Sequence, residues 1–203
     1  MLENKLGITN EVELSKEEER LTKLKALELF DTNKINEFEV GTTKGLCDIH
    51  KYLFSDVYEF AGKIRDVNLA KGNFRFAPAM YLEEALKKID NMSEDNFDDI
   101  IKKYIEMNIA HPFREGNGRS TRIWLDMILK NELGQVIDWS KINREEYLLA
   151  MERSPIKDTE INLLLKNALT DKINNREVYM KGIDTSYRYE GYNTYTMKEL
   201  DKL

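Results

Sequence analysis

Apolar residues recur at spacings of three and four along most of this chain, and only three prolines interrupt them in 203 residues. That period matches the turn of an α-helix rather than the two-residue alternation of a strand, so the chain is expected to be mainly α. Ser15 and Glu18 have the spacing of a capping box ahead of a helix whose apolar face includes Leu21, Leu24 and Leu27. A second helix is expected through residues 45–54, with Leu46, Ile49 and Leu53 on one face. The period then changes. Val67 and Leu69 alternate, Lys71-Gly72-Asn73 supplies a turn, and Phe74 and Phe76 alternate again, which predicts a small β-hairpin within residues 64–78. Helical spacing resumes over 81–90, 95–110, 117–133, 144–153 and 158–173, with a break at His111-Pro112. Beyond Asn174 the tail is rich in tyrosine and glycine and has no clear period.

With 41% apolar residues the chain can bury a substantial core, and residues 1–203 read as one domain without internal repeats. A formal charge of -6 and a pI of 5.2 supply no basic footprint for nucleic acid or an anionic membrane, so neither is expected as a direct partner. The single cysteine, Cys47, cannot form an internal disulfide. The N-terminal stretch lacks the apolar run of a signal peptide, and no apolar stretch reaches membrane-spanning length, so a cytoplasmic protein is expected.

The chemistry is concentrated in HPFREGNGRSTR, residues 111–122, placed between two helical segments. Gly116 and Gly118 let backbone N–H groups approach a ligand closely, and the free N–H groups of a helix's first turn favour an anion. Arg119 and Arg122 are three apart, share a helix face and suit a polyphosphate. Glu115 offers a hard oxygen ligand that could hold Mg²⁺ against phosphate oxygens. His111 supplies an imidazole suited to taking a proton from a hydroxyl near neutral pH. His50, inside a helical apolar pattern, reads as a packing residue.

This segment is similar to the Fic signature, H-x-F-x-[D/E]-G-N-G-R-x-x-R, and every specified position matches. Residues 49–65 and the hairpin that follows resemble the segment and flap preceding that signature in the family. The resemblance implies a helical Fic fold and a protein adenylyltransferase. His111 would deprotonate a target hydroxyl, which attacks the α-phosphate of ATP and expels pyrophosphate. It also implies that Phe113 anchors the loop, Glu115 carries Mg²⁺, and Asn117 contacts the α-phosphate beside the Gly116 and Gly118 amides. Arg119 would hold the β-phosphate and Arg122 the γ-phosphate. The flap residues Asn68, Leu69, Ala70, Lys71, Gly72, Asn73, Phe74, Arg75 and Phe76 would bind the target protein as an added strand. The intact Gly-Asn-Gly favours AMP transfer over the phosphorylation of a kinase-like branch, while the loop alone leaves CDP-choline and UTP open.

In the tail, SYRYEG at 186–191 is similar to the family's inhibitory motif, [S/T]-x-x-x-E-[G/N], and gives Ser186, Glu190 and Gly191 a role in a C-terminal brake over residues 183–192. A Glu190 carboxylate on Arg122 would compete with a γ-phosphate. Tyr187, Tyr189 and Tyr192 become candidates for self-modification. Glu190 could instead orient water for de-AMPylation, and a binding module or antitoxin that only retains the fold is a third reading. Relatives with such a brake act on bacterial type II topoisomerases, which the resemblance brings in as a candidate target. A homo-oligomer that buried the tail would make release of the brake depend on concentration.

Overall fold

Asn10 starts the first helix, α1 (Glu11–Asp31): its side-chain oxygen accepts the Glu13 N–H, and Glu11 and Glu13 complement the positive end of the helix dipole. The computed structural model describes residues 2–72 and 74–202. Ser15 and Glu18 lie inside α1 rather than capping it, because winding the helix back to Asn10 also buries Leu14. The buried stripe of α1 is less apolar than its leucines suggested. Leu14, Ala26, Leu27 and Leu29 are buried, but so are Glu18, Glu19, Thr22 and Lys23.

After a 3₁₀ turn at Lys34–Glu37, α2 (Thr43–Phe54) is capped by the Thr42 side chain and buries Leu46, Ile49, His50, Leu53 and Phe54. The hairpin forms where the alternation placed it, with shorter strands: β1 (Ala70–Lys71) pairs antiparallel with β2 (Phe74–Arg75), Ala70 opposite Arg75 and Lys71 opposite Phe74. The Phe76 N–H reaches the Leu69 carbonyl at 3.2 Å and extends the pairing by one bond. Asn73 lies outside the described residues. α3 (Ala79–Asp90) and α4 (Phe97–Ala110) follow, the latter capped by Asn96.

α5 (Asn117–Leu133) is the central helix. Seven consecutive residues, Arg119 to Leu125, are buried, so this helix is covered on all sides, by α2, α4 and a helix of the tail among others. After α5, β3 (Val136–Ile137) and a 3₁₀ turn at Trp139–Lys141 lead to α6 (Arg144–Arg153) and α7 (Thr159–Asn167). The helix expected to run to residue 173 stops at Asn167, because β4 (Leu169–Thr170) leaves it to pair antiparallel with β3. Asp126 on α5 secures that pairing by accepting the Ile137 N–H and the Trp139 indole N–H, each at 2.8 Å.

The tail that showed no period is ordered. α8 (Arg176–Tyr189) is capped by Asn175, and α9 (Met197–Leu200) carries a capping box between Thr196 and Glu199. The inward face of α8 is Gly182, Ile183, Thr185, Ser186, Tyr187 and Tyr189, which mixes polar groups with apolar and aromatic ones. The Fic-like expectation of a mainly helical molecule with a small hairpin holds. No helix among the described residues is long and apolar enough to cross a membrane.

The tail is fastened to α1 through a buried lysine. Lys23, 1% exposed, reaches Glu19 at 3.1 Å, Asp184 of α8 at 2.9 Å and the Tyr195 carbonyl at 2.5 Å. Glu19 in turn accepts the Thr194 and Tyr195 N–H groups. Removing one partner of such a cluster strands the others in a low-dielectric setting. Lys23→Ala is expected to lower unfolding stability by about 3–5 kcal/mol in urea titrations at pH 7.

Candidate active site

α4 ends on His111 in the left-handed conformation, φ 49° and ψ 63°, with its N–H on the Met107 carbonyl at 3.0 Å. A non-glycine residue holds that backbone only when its surroundings determine it. Arg65 supplies the restraint. Only 4% exposed, it donates to the carbonyls of His111 at 2.7 Å, Ala110 at 3.0 Å, Ala77 at 2.6 Å and Val67 at 2.6 Å. One guanidinium therefore joins the end of α4 to both sides of the flap's base. The His111 ring stacks on Phe76 of the flap, centroids 3.6 Å apart and planes 14° apart. Burial pushes the His111 imidazole down to about 4, although the nearby Glu190 charge pulls the other way, so the ring is neutral at pH 7 and able to accept a proton.

The loop after His111 is held by its own side chains. Phe113 is fully buried, as expected of an anchor. The Asn117 side chain accepts the Phe113 N–H at 2.8 Å and donates to the Phe113 carbonyl at 2.7 Å, closing the loop into a staple. Gly116 has φ 75°, and a Cβ there would lie 2.4 Å from the Phe54 ring, so both backbone and space demand glycine. A Cβ on Gly118 would lie 2.2 Å from the Glu190 carboxylate. The first turn of α5 thus begins with no side chain of its own at Gly116 and Gly118, and the Glu190 carboxylate lies against it.

Both signature arginines are buried and already paired. Arg122 donates to the Ser186 hydroxyl at 2.7 Å, the Ser186 carbonyl at 2.9 Å, Glu190 at 2.8 Å and the Tyr147 hydroxyl at 3.3 Å. Burial alone would raise the Glu190 carboxyl, but the Arg122 charge, followed by Lys71 of the flap at 3.4 Å, holds it down at about 2. Gly191, at φ 92°, carries the chain away from the end of α8. Ser186 and Glu190 therefore meet at Arg122, and Gly191 turns the chain away just beyond them. Arg119 takes a different set of partners: Glu18 of α1 at 2.6 Å, Glu115 at 3.1 Å and the Tyr192 hydroxyl at 3.4 Å. Its guanidinium lies over the rings of Tyr192, Phe54 and Tyr187, at 4.3, 4.8 and 5.2 Å. Glu18 also accepts from the hydroxyls of Tyr58 and Tyr192.

Three tyrosines proposed for self-modification are not equivalent. Tyr187 and Tyr189 are 1% exposed, and the Tyr189 hydroxyl is spent on the Ile142 carbonyl at 2.9 Å. Only Tyr192 is partly exposed, so the other two hydroxyls are enclosed while α8 stays docked. On the flap, Asn68, Ala70, Lys71, Gly72 and Arg75 are exposed, and Leu69, Phe74 and Phe76 partly so. The Asn68 side chain accepts the Ala79 N–H at 2.8 Å and fixes the start of α3.

Glu115 fits a metal ligand. Its Oε1 accepts from Gly116 N–H at 2.9 Å and from Arg119, and the side chain keeps 39% exposure beside the cradle. Among the described residues no cluster of three or more metal-binding side chains exists, so a Mg²⁺ held there would draw its remaining ligands from phosphate oxygens and water. Sequence reasoning missed Arg65, Glu18 and Tyr147. In the sequence Glu18 reads only as half of a cap, and the partners that give these three their roles, His111, Arg119 and Arg122, lie far along the chain.

Residues 41–129 match the model of the Fic/DOC family. The chain is 33% identical over 189 residues to the protein adenylyltransferase VbhT of Bartonella schoenbuchensis, covering 86% of this chain and 38% of that protein. It is 25% identical to the probable protein adenylyltransferase Fic of Salmonella typhimurium, covering 84% of this chain and 88% of the relative. The chain thus spans well under half of VbhT but most of the Salmonella relative. In structure it is similar to Bartonella tribocorum BepC with bound AMPPNP, TM-score 0.71 at 20% identity, covering 84% of this chain and 92% of the other. An N-terminal Fic domain from Bartonella quintana with bound ADP gives TM-score 0.71 at 22% identity, covering 84% and 91%. Both show a shared fold.

The site makes stability sensitive to acid. Burial holds the imidazoles of His111 and His50 at about 4 and about 3, below their ordinary value of ~6.5. The unfolded chain binds these protons first, so stability is full above pH 6.5 and declines as pH falls toward 4. Urea midpoints measured from pH 7 to 4.5 are expected to fall, with a shallower fall in His111→Gln.

Proposed function

From the premise that this chain carries a Fic domain at residues 41–129, we propose that it transfers AMP from ATP to a hydroxyl side chain of a target protein and that Glu190 restrains the reaction. The observation that carries the reading is the juxtaposition of a neutral His111 with an anion cradle whose Arg122 is held by an internal carboxylate. The names of the relatives VbhT and Fic support the same chemistry.

In this mechanism a target segment pairs with the exposed flap through main-chain hydrogen bonds. His111 takes the proton of the target hydroxyl as the oxygen attacks the α-phosphorus, and the bond to the β-phosphate oxygen breaks to release pyrophosphate. The Gly118 amide and the N-terminus of α5 stabilise the developing charge, joined by the Gly116 N–H once Glu115 turns from it to Mg²⁺. Asn117 acts by holding the loop closed. Arg119 and Arg122 hold the outgoing phosphates. Glu115 would hold Mg²⁺, which neutralises phosphate charge when bound. Such a reaction fits a cytoplasmic protein supplied with ATP.

Restraint follows from charge. In the enclosed site Arg122 can pair fully with Glu190 or with a γ-phosphate, and the Ser186 hydroxyl and carbonyl favour the first. De-AMPylation is a second reading of the same site, favoured by the partly exposed Glu190 carboxylate lying against the cradle at Gly118, from where it would orient a water toward a bound AMP-modified side chain.

Incubation with α-labelled ATP, Mg²⁺ and a cell lysate tests the reading. Glu190→Gly is expected to raise protein labelling at least about tenfold, and adding His111→Ala to lower it by about 10²-fold or more. Label that is insensitive to His111, or equal labelling with and without Glu190, would contradict it.

A further inference from the structure

His50 sits on α2, fully buried, far in sequence from the signature loop. A packing role would require only its ring. That ring is indeed stacked between Phe113, centroids 3.8 Å apart, and Phe54, 4.7 Å apart. Both ring nitrogens are also engaged. The Gly62 N–H donates to Nδ1 at 2.8 Å, and Nε2 lies 2.9 Å from the Glu115 carbonyl oxygen. An amide N–H can only donate and a carbonyl can only accept. The two contacts are therefore satisfied together only by a neutral ring with its proton on Nε2.

The partner atoms are informative. The Glu115 carbonyl belongs to the peptide joining Glu115 to Gly116, where the chain turns to φ 75° and the cradle begins. That turn rests on Phe54, one of the rings stacked on His50. Gly62, at φ 75°, is itself pressed on Lys51 and Cys47 of α2, where a Cβ would come within 2.7 and 3.0 Å, so the donor to Nδ1 is fixed. We propose that His50 is a positioning residue for the anion cradle: its Nε2–H orients the Glu115–Gly116 peptide, and thereby aims the Glu115 carboxylate and the amides that follow at the nucleotide phosphates. Without this donor the Glu115 carbonyl is an unmet acceptor against an aromatic floor, and its peptide can rotate. A shift of that kind, about 1 Å at the reacting centre, costs up to about 100-fold in rate. The role rests on the nucleotide-binding reading above.

Two arms test it separately from that reading. In the full chain, imidazole ¹⁵N spectra resolve two histidines, assigned with His111→Ala. His50 is expected as the Nε2-protonated neutral tautomer throughout pH 5–8, whether or not nucleotide binds; the Nδ1-protonated form, or a ring that titrates in that range, would overturn the assignment. The second arm measures MgATP binding and label transfer in the Glu190→Gly protein, with His50→Phe keeping the stack and His50→Gln keeping a side-chain N–H donor. The phenylalanine variant is expected to lose about 10- to 100-fold in MgATP affinity or in label transfer, and the glutamine variant less than about threefold, both folded by circular dichroism. Equal losses in the two variants, or none in either, would leave His50 a packing residue. Absence of label in the Glu190→Gly parent would count against AMP transfer alone, since the tautomer and MgATP binding still decide the role of His50.

Discussion

A buried guanidinium must have its donors met, by carbonyls as at Arg65 or by a carboxylate as at Arg122, and Arg122 is the one on which the site depends. At 2% exposure its charge could not remain unpaired without a cost of several kcal/mol. Glu190 meets that need from within the chain, at the end of a helix whose last turn also lends the Ser186 hydroxyl and carbonyl. The same requirement explains why the tail is ordered: α8 is docked on α5 by a charge that α5 cannot leave unpaired. A phosphate able to meet the same charge would relieve α8 of that task, which on the proposed function makes nucleotide and tail alternatives at one side chain.

Around this pair the fold is arranged so that distant segments set the signature loop. Arg65 fixes the left-handed turn at His111 and ties it to the flap, so the proposed base and the proposed target strand share one support. Asn117 closes the loop on Phe113, and Phe113 lies on the His50 ring. Arg119 answers to α1 through Glu18 and to the tail through Tyr192. α1 in turn grips the tail through Lys23. The loop, the first helix and the tail are therefore one electrostatic assembly, and charged residues on the inner face of α1 are part of it.

What could be read in the sequence was local. α5 and α6 have the bounds their apolar spacing gave, and the hairpin lies where alternation placed it, because those signals depend on neighbours along the chain. The signature residues and the Ser186–Glu190–Gly191 group were legible for the same reason, each being a short pattern. What the sequence hid was pairing at a distance. Glu18 looked like half of a capping box, yet it is the anion for Arg119. His50 looked like filler, yet both its nitrogens are bonded. α8 was less clearly periodic because its buried face is made of tyrosines, a serine, a threonine and a glycine beside one isoleucine. Nor could local spacing reveal that α7 stops for a two-residue strand pair, which depends on Asp126 holding β3.

The most direct measurement of the central claim compares the affinities of a non-hydrolysable ATP analogue and of ADP, by calorimetry with Mg²⁺, in the native chain and in Glu190→Gly. If Glu190 and a γ-phosphate share Arg122, the two nucleotides should bind nearly equally to the native chain. The analogue should then gain about tenfold over ADP once the carboxylate is removed, the worth of one charge-assisted contact. The same ratio of affinities in both proteins would mean that Arg122 does not serve a γ-phosphate, and the competition would have to be abandoned.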